Sequence, residues 1–225
     1  MNADGALILS CLAQVAAERA ERAADAGLAE RSLAVKAFQH RRFEGTYADL
    51  AGQARYAAAV RFFLEELYGP SDFTQRDEQF RRIVPALVRL FPAEIVRTVR
   101  LLGELHALSE QLDSQLARHL PLLPIDDPAY RIAWQAVGRP ADRARQIQML
   151  LDVGRSLDRY TRNPLMRHSL RMMRMPAQAA GLGDLQRFLE TGFDTFRNLK
   201  GADEFLGIVE RREAALVAYW FAPAP

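Results

Sequence analysis

The chain is 225 residues long, 49% hydrophobic and 26% charged, with 30 basic against 28 acidic side chains. A chain of this size buries about 70–75% of its unfolded surface and needs no disulfide or metal to hold a core, and its single cysteine, Cys11, excludes a disulfide framework and any multi-cysteine metal centre. A net charge of +2 gives no bulk electrostatic footprint for nucleic acid.

Beta-branched residues are scarce, with 11 Val, 7 Ile and 6 Thr. Ala, Leu, Arg, Glu and Gln dominate instead, and these lose least entropy in a helix. No run alternates apolar and polar residues between turn signals. These features predict an all-α fold: one domain over 1–225, an orthogonal bundle of about eight helices without a β-sheet. All basic residues but Lys36 and Lys200 are arginines. Arginine suits fixed ion pairs and bidentate anion contacts, although a GC-rich genome produces the same bias. The opening Met1-Asn2-Ala3-Asp4 has an acid and no basic stretch, so no secretory leader is expected. The uncharged run Gly5–Ala17 is too short to span a bilayer. The expected setting is cytoplasmic, with neither membrane nor nucleic acid as partner.

Residues 4–25 and 28–42 form the first one or two helices, with a break near Gly27. Thr46 with Asp49 resembles a capping box and opens a helix from Tyr47 to Leu67, which Gly69-Pro70 stops. Asp72 with Gln75 caps a helix carrying Phe80, Ile83, Leu87 and Leu90, with a kink expected at Pro85 and an end at Pro92. From Ala93 to His119, Leu101, Leu105, Leu108, Leu112 and Leu116 recur at helical pitch. Arg97, Arg100, Glu104, Gln111, Ser114 and Arg118 form the opposite, polar stripe. Pro121-Leu122-Leu123-Pro124 makes an extended connection, and 121–128 is where two sub-bundles would divide. Asp127-Pro128 starts the next helix as cap and first-turn proline, and Gly138 closes it. Pro140 starts a longer helix with Ile147, Leu150, Gly154 and Leu157 inward, and Asn163-Pro164 a short one ending at Pro176. After Gly181 and Gly183, Leu185, Leu189, Gly192, Phe196 and Leu199 form an apolar stripe. Beyond Gly201 a last helix carries Phe205, Val209 and Leu216.

No motif assigns a mechanism. Glu-x-x-His pairs for a di-iron site, His-Glu-x-x-His for zinc and Gly-x-Ser-x-Gly for a nucleophile are all missing. Cys11 has no basic neighbour in sequence to activate it. Gly181-Leu182-Gly183 follows no strand, and Asp126-Asp127 lacks the third acid of a prenyl-transfer metal motif, so Asp127 reads as a helix cap. No catalytic residue, metal or cofactor is assigned, and the balance is against an enzyme.

Two constellations remain as candidate sites. Arg167, Arg171 and Arg174 share one helix face, and from Arg159 to Gly183 there are five arginines and no acid. Stacked like charges repel by about a few tenths of a kcal/mol per pair, so something compensates. The plain explanation is ion pairing with Asp203, Glu204, Glu210 or Glu213; the sharper one is an anion site. His106 lies within about 20–40° of Ile95, Val99 and Leu102 by the 100° per residue rule, beside the small Gly103. Such a histidine is usually a core residue satisfied by one hydrogen bond; the alternative is a pocket ligand, of which an axial haem position is the specific form. Tyr219-Trp220-Phe221 cannot all face one way, so some close the core while others reach a partner or symmetry mate.

Phe62-Phe63-Leu64-Glu65-Glu66-Leu67-Tyr68 is followed by Gly69-Pro70-Ser71-Asp72-Phe73 and by Arg76-Asp77. Over residues 56–77 the chain resembles the uncharacterised bacterial family labelled by its FFLEELY motif, and Arg171–Pro176 with Gly181–Phe188 is similar too. The resemblance implies a bacterial source and an all-helical fold; it implies no activity or site. The residues themselves read as a structural corner: Tyr56, Val60, Phe63 and Leu67 form an apolar face that Phe62 widens, Arg61 and Glu65 pair on the other side, and Asp72, Arg76 and Asp77 lock the turn by ion pairs. The first functional expectation is a non-enzymatic interaction or regulatory protein that self-associates as a homo-oligomer. The alternative is a small-ligand or anion-binding helical protein, using the arginine face or a pocket at His106, with a globin-like pocket less favoured.

Overall fold

The computed structural model describes residues 2–67, 73–120 and 124–223. Among the described residues the chain is all-α with no strand, and no helix there is long and apolar enough to cross a membrane. Helix α1 (Ala3–Ala24) is capped by the Asn2 side chain, which accepts from the Gly5 amide at 2.9 Å. Helix α2 (Ala26–Thr46) starts at Asp25, not Gly27, because the Asp25 carboxylate accepts from the amides of Gly27 and Leu28.

The helix expected over Tyr47–Leu67 is divided. It becomes α3 (Ala48–Ala51), α4 (Ala57–Phe62) and a π-helical turn over Phe63–Leu67. The Thr46 capping box does not form: Thr46 ends α2, and its hydroxyl donates to the Arg42 carbonyl at 2.8 Å. Packing explains the break. Tyr47, Leu50 and Tyr56 are all buried in one cluster with Phe43, Phe63 and Phe205, and a bend near Gly52 lets both tyrosine rings reach it. Phe62 and Phe63 are core residues, as the corner reading expects. Tyr68, Gly69-Pro70 and Asp72, as well as the Leu67 side chain, lie outside the described residues.

Helix α5 (Thr74–Leu90) runs as a continuous helix through Pro85, and Pro92 precedes α6 (Ala93–His119). Helix α7 (Asp127–Val137) is capped by Asp126, whose carboxylate accepts from the Ala129 amide at 2.8 Å, so Asp127 is the first helical residue and not the cap. Gly138, at φ 65°, closes it in a backbone region that favours glycine. Helix α8 (Pro140–Thr161) starts at the expected proline. The short helix after Asn163 splits at Met173 into α9 (Pro164–Met172) and α10 (Arg174–Ala179). Pro176 does not end it; it sits in the first turn of α10, where its missing N–H has no intrahelical partner to lose. Helices α11 (Gly183–Asn198) and α12 (Asp203–Phe221) complete the chain.

Helix α6 is the axis of the molecule, about 40 Å long at 1.5 Å per residue. Helix α1 runs beside it in the same direction: Asp4 pairs with Arg100, Cys11 lies against Gly103, and Glu21 pairs with Arg118. That neighbour interrupts the polar stripe expected on α6 at one position. Ser114 is fully buried, because α1 covers it and Arg22 donates to its hydroxyl at 2.7 Å. On the other sides α6 packs against α2, α7 and α8.

Among the described residues the buried apolar side chains form four clusters, linked at Leu150 and Val137. One joins α2 to α4, α8, α11 and α12; a second joins α2, α6, α7 and the end of α12; two smaller ones lie along the two halves of α6. Leu189, expected in the α11 stripe, is 40% exposed instead. At the C-terminal end Trp220 is buried, Tyr219 is half-exposed and Phe221 packs on Trp134 at 5.8 Å.

Candidate functional site

The space between the clusters holds a cavity of about 220 Å³. One face of α6 runs along it through Val99, Leu102, His106, Ser109, Glu110 and Asp113. These recur at helical pitch, and from Val99 to Asp113 the wall is about 21 Å long. The wall changes character along its length. Val99 packs there with Leu12 and Phe80, and Leu150, Leu185 and Phe188 add further apolar lining. Around Ser109 and Asp113 it is completed by Lys36, Gln39, Arg42, Tyr130, Trp134, Arg143, Gln146, Glu213 and Trp220. The cavity is apolar at one end and densely polar at the other.

Each polar group there is held by a neighbouring helix. His106 Nε2 lies 2.9 Å from Asp77 Oδ2, and Arg19 reaches the same carboxylate at 2.9 Å. Glu110 receives Arg22, with Arg19 at 3.2 Å and Lys36 at 3.3 Å. Gln39 donates to Asp113 at 2.8 Å and touches the Tyr130 hydroxyl at 3.3 Å. Arg42 pairs with Glu213 at 2.6 Å, and Tyr47 donates to the same carboxylate at 2.9 Å. Arg143 lies over Trp134, its Cζ 3.8 Å from the ring centroid, and donates to Gln146, which in turn donates to Ser109. At the boundary between the two ends Arg76 is sandwiched between Phe73 and Phe188, at 4.0 and 4.3 Å, and pairs with Glu66.

One turn of α6 separates two carboxyl groups with opposite electrostatics. Burial pushes Glu110 up, but Lys36, Arg22 and Arg19 outweigh it and hold its pKa at about 2. Asp113 meets fewer counter-charges: burial raises its pKa, and Gln39, Lys36 and Arg143 offset only part of that. At Asp77 burial is outweighed by the His106 hydrogen bond and by Arg19, so its pKa falls. Cys11 moves up through burial and the nearby Glu104, which keeps it a thiol. The Asp113 shift sets a testable sign. A carboxyl whose folded pKa is raised loses folding free energy as pH rises above its ordinary value of 3.8. Asp113→Asn keeps an acceptor for Gln39 without the charge, so its melting temperature at pH 7 exceeds the wild type's, and the gap closes below pH 3.8. A melting-temperature series from pH 3 to 8 with the two curves parallel throughout rules this out.

Of the residues singled out from sequence, His106, Arg76 and Asp77 line the cavity. Arg76 and Asp77 do not pair with each other to lock the corner: Arg76 pairs within the FFLEELY stretch at Glu66, while Asp77 crosses to α1 and α6. His106 has its Nε2 engaged by Asp77. Arg167, Arg171 and Arg174 lie apart from the cavity, against α11. Arg167 is 3.3 Å from Asp194, Arg174 grips both oxygens of Glu190, and exposed Arg171 acts on Glu190 electrostatically. Their acids come from α11, not from Asp203, Glu204, Glu210 or Glu213, because α9 and α10 fold back on α11. Among the described residues no group of three or more His, Cys, Asp and Glu could hold a metal ion.

Sequence reasoning passed over Asp113, Glu110, Gln39, Arg143 and Trp134. One signal was present. The track Ile95–Val99–Leu102–His106 continues at the same pitch into Ser109, Glu110 and Asp113, so an apolar flank turns polar without leaving its face.

No curated protein and no solved structure matches the chain. A family model does match, over residues 18–225. It covers α2 to α12, hence all the helices that wall the cavity apart from the start of α1, and the chain belongs to the family described as Domain of unknown function (DUF8198).

Proposed function

We propose that the chain is a small-ligand-binding protein whose ligand lodges in the cavity along α6. The observation that carries this reading is the cavity itself: about 220 Å³ with an apolar end and a polar end whose side chains are held in place by neighbouring helices. A bundle serving only as a scaffold gains by filling such a space, since unfilled volume and buried polar groups both cost stability. Its volume is below the roughly 300–1,000 Å³ of sites for drug-sized molecules, so the ligand is small. Binding fits the chemistry better than proton transfer does, because three cations fix Glu110 in its charged form. A cytoplasmic, bacterial setting belongs to the same reading and rests on the single cysteine and on the FFLEELY resemblance.

A self-associating interaction protein is the second reading. Supporting it, α9 buries no residue, and Leu165, Met172, Met173 and Met175 are 53–74% exposed. Native mass spectrometry of freshly purified protein separates the two. The ligand reading expects a monomer carrying a co-purified small mass, lost when Leu102→Phe and Val99→Phe fill the apolar end. A clean dimer with no bound mass in the wild type supports the second reading and overturns the first.

A further inference from the structure

Resting on the ligand-binding reading, we propose that the ligand is a small organic acid whose carboxylate sits at the Arg143–Trp134 end and whose apolar body points toward Val99, Leu102 and Phe188. Three observations carry it.

The first is a surplus of positive charge. The cations in and around the polar end are Arg19, Arg22, Lys36, Arg42 and Arg143; the acids they face are Asp77, Glu110, Asp113 and Glu213. Among the described residues that makes five cations and four acids. One carboxylate balances the surplus, whereas a phosphate dianion overshoots.

The second is an unmatched donor. Trp134 is 5% exposed and lines this end, and its indole N–H meets no acceptor among the described residues. A buried donor without an acceptor is destabilising, and a ligand oxygen would relieve it. An alcohol or a carboxylate supplies that oxygen; an ammonium supplies only more donors.

The third excludes an amine head on other grounds. Tyr130, Trp134 and Trp220 would make an aromatic cage for a cation, but the protein's own guanidinium groups occupy it: Arg143 covers Trp134 at 3.8 Å, and Arg42 lies 5.7 Å from the Trp220 ring. The aromatic rings present cations to the cavity; they do not await one. The contact with Trp134 also holds the Arg143 guanidinium at this end, and its planar fork suits a carboxylate.

The test uses the full chain at pH 7 with three eight-carbon probes that differ only at the head: octanoate, octan-1-ol and octylamine. Trp134 and Trp220 are the only tryptophans and both line this end, so their fluorescence reports binding, with calorimetry as a second readout. Octanoate is expected to bind about ten-fold or more tighter than either other probe, the worth of one charge-assisted contact. Arg143→Met weakens octanoate about ten-fold and leaves octan-1-ol within about two-fold. Trp134→Phe keeps the ring beneath Arg143 and removes only the N–H, and weakens octanoate about three-fold or more, read through Trp220. If octan-1-ol or octylamine matches octanoate, the head-group assignment is wrong while the cavity still binds. Equal weakening of all probes by Arg143→Met overturns it in the same way. If none of the three binds, the organic-acid proposal falls, and the mass spectrum of the purified protein separately decides the cavity reading.

Discussion

Replacing Glu110 by glutamine lowers the unfolding free energy by about 3–5 kcal/mol at pH 7, measured by urea denaturation, the cost of removing one partner from a buried ionic network. Glu110 sits on α6 with its side chain 6% exposed and takes Arg22, Arg19 and Lys36 at once. Glutamine preserves the shape and one acceptor for Arg22, but it leaves these cations without the acid that balances them. Its pH dependence makes the prediction specific. The folded pKa of about 2 lies below the ordinary 4.5, so the carboxylate stabilises the fold fully above pH 4.5 and loses that contribution as pH falls toward 2. A shift of this size corresponds to about 3 kcal/mol. The gap between wild type and Glu110→Gln therefore shrinks toward zero over that interval. A gap that stays constant from pH 6 to pH 2.5 would show that the loss comes from packing and not from charge.

Gly154→Val destabilises the protein by about 3 kcal/mol, near the upper end of what overpacking a core costs. Gly154 is buried on α8, where a Cβ would stand 2.7 Å from Leu206 Cδ2 and 3.2 Å from Cδ1. Leu206 is 2% exposed inside the largest apolar cluster, so it has little room to swing aside. Helices α8 and α12 would have to separate, and both wall the cavity. Gly207→Ala on α12 is the control. Its new Cβ meets nothing closer than the flexible Arg211 guanidinium at 3.5 Å, so the gain in helix propensity dominates and the protein gains up to about 1 kcal/mol. If denaturation midpoints move alike for the two variants, close approach at Gly154 is not what keeps a glycine there.

The candidate site was half legible. His106 stood out because a polar residue on a leucine-rich helix breaks the local pattern, and it does line the cavity. Asp113 and Glu110 lie on the same track but outside both stripes of the helix, and a helical wheel cannot tell water from a polar interior. The same limit misplaced Ser114, which α1 buries beneath Arg22. The arginine face was visible as a cluster of like charge, yet its partners Glu190 and Asp194 depend on how α9 and α10 return onto α11. The break inside Tyr47–Leu67 was invisible for a related reason: local propensity favours one helix there, and the burial of Tyr47 and Tyr56 in a shared cluster overrides it.

The amino-acid sequence by itself determined the helical class, the long central helix and the starts at Asn163-Pro164 and Pro140, because propensity, periodicity and capping act within a few residues of one another. Only the tertiary structure decided that the apolar clusters of the described residues border a cavity, and that charged side chains from α1, α2, α6, α8 and α12 converge on one end of it. Those contacts join residues as far apart as Arg42 and Glu213. Their energies depend on a dielectric environment that exists only once the chain is folded.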